Sequence, residues 1–274
     1  MIYTLKPRNR TFDTSVAFPP LPEGKKIGIA LSGGMESSLI GKIAIDTYGA
    51  DRVVFFVIDR LFSRDNPVTD EVILANFDRI YEEIGGIESH QLTFDYTTHM
   101  ANRTASLTNI KIHLEENYPH VNCLYFGFTK LFFDVEPLNN MEDATVEKIR
   151  ELCYANPEQF ERVIEEFHLN HFDDYVSLLM DMKIVPEVYD FLRNTPTVKC
   201  PFNKLDKAEI IDLYYQLGYK DLLYKTWSCT TMYSLIQQVH CGQCFNCQER
   251  LDGHRQLGLP DLTQYAHDDI TKVV

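Results

Sequence analysis

The run Lys26-Ile27-Gly28-Ile29-Ala30-Leu31, followed at once by Ser32-Gly33-Gly34 and then by a helical pattern, restricts the fold of this chain more than any other feature. The six-residue run is a short buried strand. From about Ser37 to Tyr48 the apolar positions Leu39, Ile40, Ile43 and Ala44 recur at helical spacing, and Gly49 is placed to stop the helix. Val53-Val54-Phe55-Phe56-Val57-Ile58 then completes a βαβ unit, since a strand apolar at every position suits a parallel sheet covered on both faces. The alternation continues with a helix near 69–84, a strand near 88–94, a helix near 104–117 and a strand near 122–126. It implies an α/β fold, a Rossmann-like parallel sheet with helices on both faces. A further helix is predicted near 207–217.

Charge is concentrated in one place. The chain has 26 basic and 40 acidic residues, a net charge of −14 and a pI near 5.0. Between Asp134 and Asp190 fifteen acidic residues face four basic ones (Lys148, Arg150, Arg162, Lys183), which is −11 of that total. Affinity for phosphate backbones comes mainly from Lys and Arg displacing counterions, so nucleic acid is not the expected partner. Within the acidic stretch, Val146, Ile149, Leu152 and Cys153, then Phe160, Val163, Ile164 and Phe167, predict amphipathic helices with anionic outer faces. No apolar run approaches the roughly 18 to 20 residues that span a bilayer, and Met1 to Gly24 lacks the order of a signal peptide. A cytoplasmic location without membrane contact is expected. In that setting seven cysteines, four of them between Cys229 and Cys247, read as metal ligands and not as a disulfide framework.

The glycine turn has its own chemistry. Adjacent glycines can turn successive N–H groups inward as an anion nest, and the following helix points its positive end at the same place. Ser32, Ser37 and Ser38 add hydroxyl donors. A tight, serine-capped strand-to-helix turn is the alternative. Walker A spacing is absent, and no Gly-x-Gly-x-x-Gly opens the helix. Ser32-Gly33-Gly34-Met35-Glu36-Ser37 resembles the Ser-Gly-Gly-x-Asp-Ser loop of the N-type ATP pyrophosphatases, the PP-loop superfamily. The resemblance implies an adenine nucleotide alpha hydrolase-like fold. It also implies that Leu31, Ser32, Gly33, Gly34, Glu36, Ser37 and Ser38 hold ATP, with Mg²⁺, while a substrate oxygen attacks the α-phosphate. Glu36 stands where the family usually has Asp, one methylene shorter.

Cys229-x11-Cys241-x2-Cys244-x2-Cys247 supplies four thiolates in 19 residues. That spacing fits structural zinc, with an iron–sulfur cluster as the alternative. A metal held by four protein thiolates has no open position for substrate, so it is expected to hold the C-terminal tail. Residues 201–210 (Pro-Phe-Asn-Lys-Leu-Asp-Lys-Ala-Glu-Ile), Thr226-Trp227-Ser228-Cys229, Cys241-Gly242-x-Cys244-x-x-Cys247-x-x-Arg250 and Asp261-x-Thr263-x-Tyr265 resemble the C-terminal half of the QueC family, the 7-cyano-7-deazaguanine synthases. The resemblance implies that Lys207 reaches the ATP phosphates from the start of its helix and acts with Glu36 in catalysis. Arg250 would serve either the substrate or the cysteine knuckle.

Between these motifs the chain departs from the family. Ile58-Asp59-Arg60-Leu61-Phe62 replaces Tyr-Gly-Gln-Arg-His, and Gly127-Phe128-Thr129-Lys130-Leu131-Phe132 with the acidic stretch replaces Gly-x-Asn-x-x-Asp and Pro-Asp-Cys-Arg. Gly127 keeps the look of the superfamily's second glycine motif and is the expected further ATP contact. Thr129 and Arg103 are expected at the substrate. The implied organisation is an N-terminal extension (1–24), a PP-loop core (25–133), an acidic helical insertion (134–198) and a C-terminal ATP-contacting helix with a zinc module (199–274). The implied activity is an ATP-dependent ligase: 7-carboxy-7-deazaguanine is adenylated, ammonia displaces AMP to give an amide, and a second activation yields the nitrile. The alternatives are a QueC-like enzyme of phage or antiviral systems joining a deazaguanine to a protein or other amine, a nucleotide-binding scaffold without turnover, and a tRNA-thiolating enzyme using Cys200. The acidic balance opposes the last. A protein partner docking on the acidic helices and a homodimer are further expectations.

Overall fold

In the computed structural model, residues 3–5, 16–61, 68–95, 112–127, 129, 198–202, 205–229 and 239–266 are described. The first two strands, β1 (Tyr3–Leu5) and β2 (Val16–Phe18), pair antiparallel. Strands of three residues are too short to show a period of two in the sequence. The main sheet contains β3 (Lys26–Ala30), β4 (Val53–Leu61), β5 (Ser89–Asp95), β6 (Val121–Tyr125) and β7 (Val198–Lys199) in the order β5-β4-β3-β6-β7. All four pairings are parallel. This is an α/β fold of Rossmann-like type.

The continuous apolar run of β4 behaves as its sequence demands: Val53, Val54, Phe55 and Phe56 are 0 % exposed. Helix α1 (Met35–Tyr48) connects β3 to β4, and α2 (Val68–Glu83) connects β4 to β5. Residues 112–117 are also helical. The order grows outward from β3 in both directions, so the chain returns across β3 between β5 and β6. The crevice outside the carboxyl ends of β3 and β6 is therefore the switch point at which α/β sheets bind ligands. The glycine turn follows β3, and Gly127 follows β6.

Three helices complete the described fold: α3 (Lys207–Gln216), α4 (Lys220–Lys225) and α5 (Phe245–Leu257). Ile210, Ile211, Leu213 and Tyr214 of α3 join the core formed by β3, β4 and α1. The Tyr214 hydroxyl donates to the Met35 carbonyl at 2.7 Å. Helix α5 lies close on α3 at Gly253, where a Cβ would meet Ile211 Cδ1 at 2.8 Å and the Ala208 nitrogen at 3.1 Å. Among the described residues no helix is long and apolar enough to cross a membrane. The predicted helices between Asp134 and Asp190 lie outside the described residues.

Candidate functional site

The site begins at the turn between β3 and α1. Gly33 has φ +77°, and a Cβ there would lie 2.5 Å from the Asn76 carbonyl of α2. Both the left-handed backbone and the close approach demand glycine. The N-cap of α1 is Gly34, with no side-chain cap, so the first-turn N–H groups face the switch point without an intrahelical acceptor. The serines are braces as well as donors. Ser38 Oγ donates to the Gly34 carbonyl at 2.6 Å, and Ser37 Oγ accepts from the Ser32 N–H at 3.1 Å and pairs with Ser32 Oγ at 3.0 Å. Leu31 is 1 % exposed and its N–H donates to the Phe56 carbonyl at 2.9 Å, fixing where the turn leaves the sheet.

Gly127 closes the other side. A Cβ on it would lie 2.7 Å from the Ser37 nitrogen and 2.8 Å from Glu36 Cβ. The two glycine motifs, ninety residues apart in sequence, are thus in contact at the start of α1. Thr129 is half-buried two residues on. Arg103 lies outside the described residues, as does Phe132.

Lys207 arrives from α3. Asp206 caps this helix with a reciprocal box: its Oδ1 accepts from the Glu209 N–H and Glu209 Oε2 accepts from the Asp206 N–H, both at 2.9 Å. Asp206-x-x-Glu209 is readable in the sequence as that box. It fixes Lys207 at the first helical position, from which Nζ forms an ion pair with Glu36 Oε1. A second carboxylate, Glu249 Oε2 of α5, is 3.6 Å from the same Nζ. Burial alone would lower the Lys207 pKa, but the charges of Glu36 and Glu249 outweigh it and hold the pKa above its ordinary value. Lys207 is therefore a cation at neutral pH.

The four cysteines come together. The Sγ atoms of Cys229, Cys241, Cys244 and Cys247 lie within 4.8 Å of one another, so the group could hold a metal ion. The Cys241–Cys247 and Cys229–Cys244 separations are 4.0 and 3.9 Å. Tetrahedral zinc with bonds of about 2.3 Å separates its sulfurs by about 3.8 Å. An iron–sulfur cluster, whose four thiolates are divided among two or four irons, would spread the sulfurs held by different irons wider. Backbone N–H groups of Cys241, Gln243 and Cys244 donate to these sulfurs at 3.2 to 3.4 Å, as stabilised thiolates require. None of the six described cysteines is in a disulfide. Burial pushes the Cys200 thiol far above its ordinary value, which disfavours the thiolate a thiolating enzyme would need.

Two connections tie the cysteine module to the nucleotide turn. The Trp227 N–H donates to the Gly33 carbonyl at 2.9 Å, and its ring packs 4.6 Å from the Arg79 guanidinium and 4.3 Å from the His240 ring. Arg250, 0 % exposed, donates through Nη1 to Thr226 Oγ1 at 3.0 Å and through Nη2 to the Leu223 carbonyl at 2.7 Å. These contacts tie α5 to α4 and to the residue that follows it. Trp227, Arg79 and Glu249 were not singled out as functional by sequence. Only Trp227, inside a recognised motif, carried a signal.

Behind these contacts, Asp261 accepts from the Thr263 N–H at 2.9 Å and from the Tyr265 hydroxyl at 2.7 Å, with Arg250 and His254 facing it at 4.0 and 3.7 Å. Burial, aided by Arg250, lowers His254 from 6.5 to about 4 despite the opposing pull of Asp261. His254 is thus neutral when folded and takes up a proton when unfolded. Its contribution to stability is present above pH 6.5 and is lost as pH falls toward 4. The loss amounts to roughly 3 kcal/mol. Urea unfolding of the wild-type chain and of His254→Gln between these limits checks this, the variant giving the shallower slope.

A second expected outcome concerns the turn. Gly33→Ala combines a positive φ with a backbone collision, so it should weaken nucleotide binding at least roughly tenfold and cost about 1–3 kcal/mol of stability. Calorimetric titration and thermal melting measure the two effects.

Residues 173–258 match the family model described as QueC: Queuosine biosynthesis protein QueC. Among curated proteins, the chain is 38% identical over 72 residues to a 7-cyano-7-deazaguanine synthase of Methanothrix thermoacetophila, covering 26% of this chain and 30% of the relative. It is 40% identical over 70 residues to one of Methanospirillum hungatei, covering 25% and 28%. The chain thus matches less than a third of the length of these two relatives. A third protein of the same name, from Sulfurovum sp., is 26% identical over 247 residues, covering 88% of this chain and 99% of the relative.

Proposed function

We propose that this chain, a divergent member of a QueC-like family, is an ATP-dependent adenylating ligase that activates the carboxylate of a 7-deazaguanine such as 7-carboxy-7-deazaguanine. The observation that carries the reading is the meeting, at the switch point of the sheet, of the Gly33–Gly34 turn, Gly127 and the Lys207–Glu36 pair. Free N–H donors and one buried ammonium suit the pyrophosphate of ATP, which becomes the leaving group when a carboxylate attacks the α-phosphate. The protein's part is then positioning and charge stabilisation. The α1 amino terminus binds phosphate oxygens, Gly33 and Gly127 let the backbone come close, and Lys207 neutralises charge that grows on the departing pyrophosphate. Ammonia would displace AMP to give the amide, and a second activation the nitrile.

Two ions belong to this reading. Glu36 would hold Mg²⁺, which when bound draws charge from the phosphates; Cys229, Cys241, Cys244 and Cys247 would hold zinc, which organises the C-terminal module and takes no chemical part. Arg250 is assigned to that module and not to substrate. The test is direct. Protein, Mg·ATP, 7-carboxy-7-deazaguanine and ammonium should yield AMP, pyrophosphate and a product whose mass is that of the acid plus ammonia less one water for the amide, or less two waters for the nitrile, read by mass spectrometry. Absence of AMP with every deazaguanine carboxylate would refute the reading.

A second reading keeps the adenylation and exchanges the acceptor for an amine on a protein. It is favoured by the end of β4 and the segment after β6, where Ile58 to Phe62 and Gly127 to Phe132 depart from the family pattern. The acidic stretch would be the docking element. AMP release that depends on an added protein, with a deazaguanine adduct on that protein, distinguishes it.

A further inference from the structure

Lys207 has two carboxylate partners that approach from different parts of the chain. Glu36, in the first turn of α1, forms the close pair; Glu249, in the helix that begins within the cysteine module, stands at 3.6 Å. The three side chains are 15, 12 and 11 % exposed. The ammonium thus stands between two carboxylates in a poorly hydrated place, where moving it away from one is costly unless the other takes it up. Glu249 is also held in register. Gly253, one turn along α5, packs on the Lys207 and Ala208 backbone, at 3.2 Å from the Lys207 carbonyl carbon and 3.1 Å from the Ala208 nitrogen for a Cβ placed there.

A magnesium nucleotide reaching the glycine turn competes with Lys207 for the Glu36 carboxylate. Without another acceptor, freeing Glu36 would strand the ammonium. We propose that Glu249 is a positioning residue that receives the Lys207 ammonium when Glu36 turns to an incoming magnesium nucleotide. This rests on the ATP reading above and adds to it that the metal-ligating module supplies a side chain to the nucleotide site. The long Glu249 contact and the close Glu36 contact are the two ends of that hand-over.

The test is a double-mutant cycle on the full, metal-containing chain, titrated calorimetrically with the magnesium complex of α,β-methylene-ATP, which cannot release pyrophosphate. Glu249→Gln should weaken binding roughly three- to tenfold. It should also raise the Mg²⁺ concentration needed for half-saturation, with zinc content and melting temperature unchanged. Glu249→Asp should recover part of the loss. In a Lys207→Met background, where Glu36 is already released, Glu249→Gln should cause no weakening. Equal weakening in both backgrounds, no weakening in the first, or loss of zinc from Glu249→Gln would overturn the proposal. Failure of the unsubstituted chain to bind the analogue would overturn it together with the ATP reading, whereas binding without AMP release in the assay above sinks the ligase reading alone.

Discussion

Replacing Lys207 with methionine is expected to lower AMP release by roughly 100- to 1,000-fold in a protein that still folds and keeps its metal. Methionine conserves much of the length and removes the ammonium. The reason for so large an effect is the place of the charge. Lys207 is buried between Glu36 and Glu249 at the edge of the glycine turn, and its raised pKa keeps it cationic through the neutral range. A cation fixed in a weakly hydrated site acts on charge that develops during the reaction without the cost of reorienting solvent. The loss should therefore fall mainly on kcat, with a smaller change in the KM for ATP. Steady-state AMP release against ATP concentration, with a melting curve to establish folding, measures both. A variant that turns over within threefold of wild type would remove Lys207 from the catalytic reading. Stability should also drop, by about 2–4 kcal/mol, because two carboxylates lose the ammonium they share.

Why Lys207 could be named in advance, and Glu249 could not, shows what the sequence makes legible. The core elements were predicted to within three residues of their observed bounds, because apolar runs such as Val53 to Ile58 and a helix stopped by Gly49 leave little choice. Gly33 and Gly34 were legible for the same local reason, and so was the cysteine cluster, whose short spacers bring its thiolates together. Lys207 came from a motif. Glu249, Asn76 and Arg79 matter only through contacts made when distant segments meet: α5 against α3, and α2 against the turn. No local pattern encodes those. Arg250 lay between the two cases, as its position after the last cysteine was legible while its burial was not. Strand β7 pairs through only two registered residues, too few for a periodic signal.

Removing the metal should have the largest effect on the C-terminal module, and the chain carries its own reporter. Trp227 is its single tryptophan, 7 % exposed, between Arg79 and His240. With Cys229, Cys247, Leu251 and Tyr265 it forms a small cluster separate from the main core. Beyond the packing of α5 on α3 at Gly253 and of Leu257 and Leu259 on the main core, this small cluster has little apolar area to set against chain entropy. A metal held by the four thiolates would help, since ligand binding at such a site is folding free energy. Cys247→Ser, or a strong chelator on the wild-type chain, should therefore lose zinc, shift tryptophan emission to the red and destabilise the chain by more than about 3 kcal/mol. Nucleotide binding should weaken as well, although no cysteine touches the glycine turn. Without the module the Gly33 carbonyl loses the Trp227 N–H and Lys207 loses Glu249. The result to measure is the order of events during chelation: metal release, tryptophan shift and loss of nucleotide binding should run together. Release of zinc with emission and nucleotide affinity unchanged would mean that the module stands without its ion and that the nucleotide site does not depend on it.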